Sequence, residues 1–270
     1  YKILLEENYD LVMHFAASIN VEESYNNPEK YQQNNIINTI NLLECMKVLK
    51  IKKFIFSSSA AVYGEPEHIP ITEGHPLKPI NPYGDTKAEV EKVLKKYDEH
   101  YGLKYVSLRY FNACGAHLDG TLGEMHDPET HLIPILLQVA SGRRKHINVF
   151  GDDYPTPDGS CLRDYVHVMD LADAHVKALN YAFVNPVSEV FNLGSGAPAS
   201  NKELLNTIQK HAGEMKIEIH DNRPGDPAYL VADIEKVKNV LDWEPTQSSI
   251  DNVVATAVQW YNKTHKKEIQ

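Results

Sequence analysis

Short apolar runs that alternate with longer amphipathic stretches dominate the first 112 residues. Asp10-Leu-Val-Met-His-Phe-Ala-Ala17 is an apolar run ending in small residues, the pattern of a buried parallel strand. Pro28 then opens a stretch with helical periodicity through Leu49, and Lys53-Phe-Ile-Phe-Ser57 repeats the strand pattern. A second helix is expected over 83–101 and a third strand over Lys104-Tyr-Val-Ser-Leu-Arg-Tyr-Phe111. Strands separated by helices predict an α/β fold with a doubly wound parallel sheet, whose ligands sit at the carboxyl ends of the strands.

Beyond Asn112 the pattern loosens into a stretch containing Gly, His, Asp and Pro. It resumes with a helix from about Leu132, a strand at Ile147-Asn-Val-Phe150 and a strand at Glu189-Val-Phe-Asn-Leu193. Ser200-Asn-Lys-Glu203 has the S-x-x-E form of a capping box and predicts a helix through His211. Helices near 234–241 and 250–263 close the chain. The division expected is a partial dinucleotide-binding part over 1–112, rejoined by the strand near 189–194, and a mixed α/β lobe mainly over 113–270, smaller than a complete domain of the first kind.

The first glycine in the chain is Gly64, so no G-x-x-G-x-x-G or G-x-G-x-x-G turn lies in the amino-terminal region. Gly194-Ser-Gly196 follows a strand but lacks the third glycine. The expectation is a Rossmann-like sheet without its first βαβ units, each about 30 residues long; the alternative is a protein that never bound a dinucleotide.

The chain has 270 residues, 42% hydrophobic content and a formal charge of -10, with no basic tract. Nucleic acid and anionic membranes are therefore poor partners, and an anionic ligand must meet locally positive charge. No apolar run approaches a membrane-spanning length, and no targeting segment is evident. The odd number of cysteines, Cys45, Cys114 and Cys161, lies outside any C-x-x-C and suits reduced structural thiols in the cytoplasm. No H-E-x-x-H or Cys/His ligand spacing occurs, and His126 and His131 flank a proline rather than sharing a helical face, so no metal is expected.

Candidate chemistry concentrates in two strings. Asn81-Pro-Tyr83-Gly-Asp-Thr-Lys87 places a tyrosine and a lysine four apart at the start of a helix, on one face. A phenol of pKa about 10 is a poor base at neutral pH, and an adjacent ammonium favours its phenolate. By itself Y-x-x-x-K equally suits a surface lysine beside a packed tyrosine. Phe56-Ser-Ser-Ser-Ala-Ala-Val-Tyr-Gly64 places three hydroxyls at the expected ligand edge of the sheet, although a serine-rich loop can also satisfy its own backbone.

Together with Arg109-Tyr-Phe-Asn112, His126-Asp-Pro-Glu-Thr-His-Leu-Ile-Pro134, Phe150-Gly-Asp-Asp-Tyr-Pro-Thr-Pro-Asp-Gly159 and Arg163-Asp-Tyr-Val-His167, these strings make the chain resemble the UDP-glucose 4-epimerases of the extended short-chain dehydrogenase type. The resemblance runs over essentially the whole chain, without the amino-terminal glycine turn. It implies NAD as cofactor, UDP-glucose and UDP-galactose as substrates, room for UDP-N-acetylhexosamines, and a cytoplasmic homodimer. Tyr83 is then the acid/base, Ser59 its hydroxyl partner, and Lys87 the holder of the nicotinamide ribose; the positive nicotinamide would add to the lysine's effect on the phenol.

Further cofactor contacts implied are Phe15, Ala16, Ala17, Asn34 and Phe111, with Ile19 where some relatives carry a lysine. For the UDP-sugar they are Asn112, His131, Leu132, Asn148, Val149, Phe150, Arg163, Arg223 and Asp226, with Leu230 beside the sugar. Guanidinium forks suit the diphosphate, and an aromatic face at Phe150 suits uracil. The runners-up are sugar-nucleotide dehydratases or decarboxylases, whose corresponding loop carries an acidic residue where this chain has Ala60 and Ala61, and a nucleotide-sugar-binding protein without redox chemistry.

Overall fold

The computed structural model describes residues 2–221 and 227–265. Helix α1 (Lys2–Glu6) precedes strand β1 (Val12–His14), and α2 (Val21–Asn26) and α3 (Pro28–Tyr31) follow. A π-helical turn over Gln32–Ile37 joins α3 to α4 (Asn38–Leu49), which leads to β2 (Lys53–Ser59) and a 3-10 turn at Ala60–Val62. Then come α5 (Pro82–Tyr101), β3 (Lys104–Tyr110), β4 (Asn112–Cys114), α6 (Leu132–Ala140) and β5 (Ile147–Phe150). β6 (Leu162–Arg163), β7 (Tyr165–His167), α7 (Val168–Val184), β8 (Glu189–Leu193), β9 (Ala199–Ser200) and α8 (Asn201–Ala212) follow. β10 (Ile217–His220), β11 (Tyr229–Leu230), α9 (Glu235–Leu241) and α10 (Ile250–Thr264) complete the order.

The central sheet is parallel throughout, in the order β1-β2-β3-β8. Helices cover both faces. Leu43 and Met46 of α4 and Val90 and Leu94 of α5 enclose Phe54 and Phe56 on one side. On the other, Leu171, Ala174 and Ala178 of α7 and Val237 of α9 pack over Ile55, Leu108 and Phe191. This is the doubly wound α/β arrangement that alternating strands and helices imply. A separate apolar core joins α6, α8 and α10 through Leu136, Leu204, Ile208 and Val253, with the parallel pair β5 and β10 beside it.

Three departures from the sequence pattern have local causes. The first strand pairs with β2 only over Val12–His14, so Phe15, Ala16 and Ala17 lie in the loop beyond it. The helix from Pro28 is wound with a π turn at its centre, a feature that widens the turn and is frequent at functional sites. α7 was not anticipated, although Leu171, Ala174, Ala178 and Ala182 form its buried stripe. Small alanines gave that stripe little hydrophobic contrast, yet they let the helix sit close to the sheet.

Helix α5 is specified at both ends and positions the site. The Asn81 side chain accepts from Gly84 N at 2.8 Å, Pro82 supplies the fixed φ of the first turn, and Gly102 ends the helix at φ 65 in the left-handed region. Gly84 is required by packing: a Cβ there would lie 2.5 Å from the Ala61 carbonyl oxygen and 3.1 Å from Cβ of Pro79. The start of α5 therefore rests directly on the turn that follows β2. Gly84→Ala is expected to lower stability by about 1–3 kcal/mol, read as a fall in thermal midpoint, whereas Gly74→Ala, whose Cβ would meet nothing nearer than 3.9 Å, should leave it nearly unchanged. Equal midpoints for the two variants would remove this contact as the constraint on α5.

Candidate active site

Each serine at the end of β2 has a separate task. Ser57 offers its carbonyl to Lys87 Nζ at 2.8 Å. Ser58 is buried and donates to Glu91 Oε1 at 2.6 Å. Ser59 caps the 3-10 turn by accepting from Ala61 N at 3.2 Å, and its hydroxyl also hydrogen-bonds the Tyr83 phenol. Thus the hydroxyl string is partly structural, and Ser59 is the one that meets the tyrosine.

Tyr83 and Lys87 share a face of α5, with the ammonium 5.8 Å from the centre of the phenol ring and 5.0 Å from that of Phe56. Lys87 is 4% exposed. Burial lowers its pKa to about 8, while the Glu91 carboxylate opposes the shift. The Tyr83 phenol moves the other way from the sequence expectation: burial raises its pKa, and only the Ser59 hydrogen bond pulls it down. In the protein alone the desolvation cost of a phenolate outweighs the nearby charge. Neighbouring His14 is held neutral, its pKa lowered to about 4 by burial and then by Lys87, and its Nε2 lies 3.0 Å from Thr39 Oγ1.

Behind this pair lies a buried polar network. Arg109 meets Glu91 through two bonds, Nε to Oε1 at 3.0 Å and Nη2 to Oε2 at 2.5 Å, and its Nη1 donates to the Tyr63 hydroxyl at 2.8 Å. Tyr63 in turn donates to Asn192 Oδ1 at 2.6 Å. The Val-Tyr-Gly and Arg-Tyr-Phe-Asn strings are thereby joined across β2, β3 and β8. Removing one partner of such a pair leaves a buried charge uncompensated, at a cost of about 3–5 kcal/mol.

The π turn brings Asn34 and Asn35 to the loop after β1. Asn34 Nδ2 donates to Ser18 Oγ at 3.2 Å, while Asn35 accepts from Ser18 N at 2.8 Å and donates to Thr86 Oγ1 at 3.0 Å. Asn35 ties that loop to α5 and escaped the sequence reading, because only the wider turn presents both asparagines. Phe15 is half exposed, with its ring centre 4.9 Å from that of His175; Phe111 is buried at the end of β3.

The sugar-side candidates fall into separate groups. Asn148 and Phe150 line a cleft of about 350 Å³ together with Arg144 and Lys145, a local positive charge on an acidic protein. Val149 between them is buried in the second core, and the Phe150 ring centre lies 5.5 Å from that of His220. Arg163 Nη1 donates to Leu162 O at 2.9 Å and Pro227 O at 2.8 Å. Asn112 is exposed at the start of β4. Leu132 begins α6, and His131 before it makes no capping hydrogen bond with its side chain; its imidazole hydrogen-bonds Glu124 instead. That contact raises the His131 pKa against the effect of burial. Arg223 and Asp226 lie outside the described residues. In β11, Tyr229 turns its hydroxyl to Pro155 O at 3.0 Å, while Leu230 pairs in register with Arg163 and packs on the core of the sheet.

Asp164 is a further organising residue. Its carboxylate accepts from Ser195 N at 2.5 Å, Gly196 N at 3.2 Å and Ala232 N at 3.0 Å. The Gly194-Ser-Gly196 turn is therefore filled by the chain's own carboxylate and is closed to a phosphate. The signal was the Asp of Arg-Asp-Tyr-Val-His together with a glycine-rich turn, which needs an acceptor for its clustered amides.

A family model described as GDP-mannose 4,6 dehydratase matches residues 1–256. A UDP-glucose 4-epimerase of Lacticaseibacillus casei is 48% identical over 261 residues, covering 96% of this chain and 79% of that protein. One of Streptococcus mutans is 49% identical over 258 residues, covering 95% of this chain and 78% of its relative. Among solved structures, the Brucella ovis UDP-glucose 4-epimerase in complex with NAD superposes with a TM-score of 0.93 at 43% identity, over 96% of this chain and 80% of that one. The UDP-Glc/GlcNAc 4-epimerase of Campylobacter jejuni does so with 0.85 at 42% identity, over 97% and 80%. With the serine, tyrosine and lysine assembled at the carboxyl end of the same parallel sheet, the chain belongs to the UDP-glucose 4-epimerase family.

Proposed function

We propose that the protein inverts C4 of UDP-hexoses, interconverting UDP-glucose and UDP-galactose with NAD as its cofactor. The observation that carries this reading is the meeting of Ser59, Tyr83 and buried Lys87 where β2 ends. The nicotinamide-ribose end of NAD fits here: a buried ammonium is available to ribose hydroxyls, and a phenol stands beside it. Among the described residues the Gly194-Ser-Gly196 turn offers no pyrophosphate cradle, because Asp164 occupies its amides. When bound, NAD would supply the reversible hydride chemistry that side chains lack.

The chain's own residues handle protons and position. Tyr83 Oη, as phenolate, accepts the C4 hydroxyl proton and gives it back when the hydroxyl re-forms on the opposite face. The Ser59 hydroxyl donates to the phenolate and lowers its cost. Lys87, fixed by the Ser57 carbonyl, holds positive charge beneath the phenol and orients the ribose. Burial raises the phenol in the protein alone, so a bound cationic ring is what tips Tyr83 toward its basic form. Asn148, Phe150, Arg163, Arg223 and Asp226 are the proposed nucleotide contacts.

A dehydratase reading follows from the broad family model but lacks its acid. Ala60 and Ala61 form the 3-10 turn where water elimination would need a carboxylate. A purely nucleotide-sugar-binding protein would have no use for a desolvated ammonium against a partly buried phenol. Among the described residues no helix is long and apolar enough to cross a membrane. A cytoplasmic homodimer, whose buried Cys114 and Cys161 stay reduced, belongs to the same proposal.

Tyr83→Phe is expected to lower turnover of UDP-galactose at least about 100-fold with UDP-sugar affinity retained; unchanged turnover would remove Tyr83 from the chemistry. For substrate breadth, Leu230 leaves more room beside the sugar than an aromatic ring, and UDP-N-acetylglucosamine should be turned over. Leu230→Tyr is then expected to lower kcat/KM for that substrate selectively. A ratio of the two specificity constants unchanged by the substitution would show that Leu230 is not the gate.

A further inference from the structure

The loop before α6 gathers four potential metal ligands, of which only His131 is also among the UDP-sugar contacts implied by the resemblance. Glu124, His126, Glu129 and His131 each direct one ligand atom inward, and these atoms all lie within 4.8 Å of one another. His126 Nδ1 is 2.9 Å from Glu124 Oε1 and 3.8 Å from Glu129 Oε1, and His131 Nδ1 hydrogen-bonds the same Glu124 oxygen. The histidines do not share a helical face. A turn around Pro128 brings them together instead, with their ring centres 5.1 Å apart.

Two carboxylates this close repel each other, a repulsion that a cation held between them removes. A single divalent cation cancels both negative charges and takes the two imidazole nitrogens as neutral ligands. Tetrahedral zinc with nitrogen and oxygen ligands at about 2.0–2.2 Å sets its donors roughly 3.3 Å apart. The separations from His126 Nδ1 to Glu124 and Glu129, 2.9 and 3.8 Å, lie on either side of that value, while the direct His131–Glu124 hydrogen bond would have to open to admit the ion.

Most of the ligand frame is held from outside the cluster. Trp260 Nε1 on α10 donates to Glu124 O at 2.9 Å, and a Cβ on Gly123 would lie 2.3 Å from the same indole, so that ring fixes the backbone leading to Glu124. Glu129 accepts from Thr130 N at 2.8 Å and His131 N at 2.9 Å, and His131 stands at the residue preceding α6. His126 is exposed in the loop, where it can close over an ion. We infer that Glu124, His126, Glu129 and His131 form a zinc site that ties this loop to the amino terminus of α6. Imidazole nitrogen beside carboxylate selects Zn²⁺ over the hard cations Mg²⁺ and Ca²⁺.

The test is equilibrium dialysis of the full chain against Zn²⁺ alone, with metal content measured by emission spectroscopy, and it is independent of the sugar reaction. About one tightly held zinc per chain is expected, weakened at least about tenfold in His126→Gln and in Glu124→Gln. His211→Gln, remote from the cluster, should bind as the parent does, and excess Mg²⁺ should not displace the zinc. Circular dichroism monitors folding; if Glu124→Gln does not fold, His126→Gln at its exposed position decides the matter. Zinc held equally by the parent and His126→Gln, or no tightly held zinc in the parent, would overturn the site and leave the four residues an ion-pair cluster only.

Discussion

The buried ammonium of Lys87 is the constraint on which the rest of the site depends. A lysine removed from water must be compensated, and its compensation comes from the Ser57 carbonyl, the face of Phe56 and the field of Glu91. Each of these fixes something else. The carbonyl bond ties α5 to the end of β2. Glu91 requires Arg109 and Ser58, and Arg109 brings in Tyr63 and thereby Asn192 on β8. The polar layer beneath the phenol is thus a continuous structure across three parallel strands.

The site is assembled by close approach as much as by charge. Gly84 lets the first turn of α5 rest on Ala61, which sets Tyr83 against Ser59. Burial that holds the phenol protonated in the protein alone also makes its basicity responsive to a bound cation. A weakly basic phenol before the complex forms and a stronger one within it is useful where the proton must return to the same carbon's oxygen.

Much of this was legible in the residues. The S-x-x-E box of α8 and the alternating strands follow from local chemistry, and the Pro-Tyr-Gly-x-x-Lys string placed a tyrosine and a lysine on one helix face. Residues acting through tertiary contact were not legible. Asn35 matters because a π turn redirects it, and Asp164 because it fills a glycine turn distant in sequence. His126 and His131 looked unrelated on helical spacing, since a loop obeys no fixed period. Tyr83 showed the opposite limit: its neighbours were read correctly, but the cost of burying its anion depends on packing that a sequence does not reveal.

The central claim is that one site removes and restores the same hydrogen at C4 while Tyr83 handles only the hydroxyl proton. It is tested most directly with UDP-galactose carrying deuterium at C4, by following the sugar by NMR in ordinary water. The account predicts UDP-glucose with inverted C4 and the deuterium retained there. Absence of inversion by protein verified to hold NAD, or inversion with the label lost to water, would contradict it.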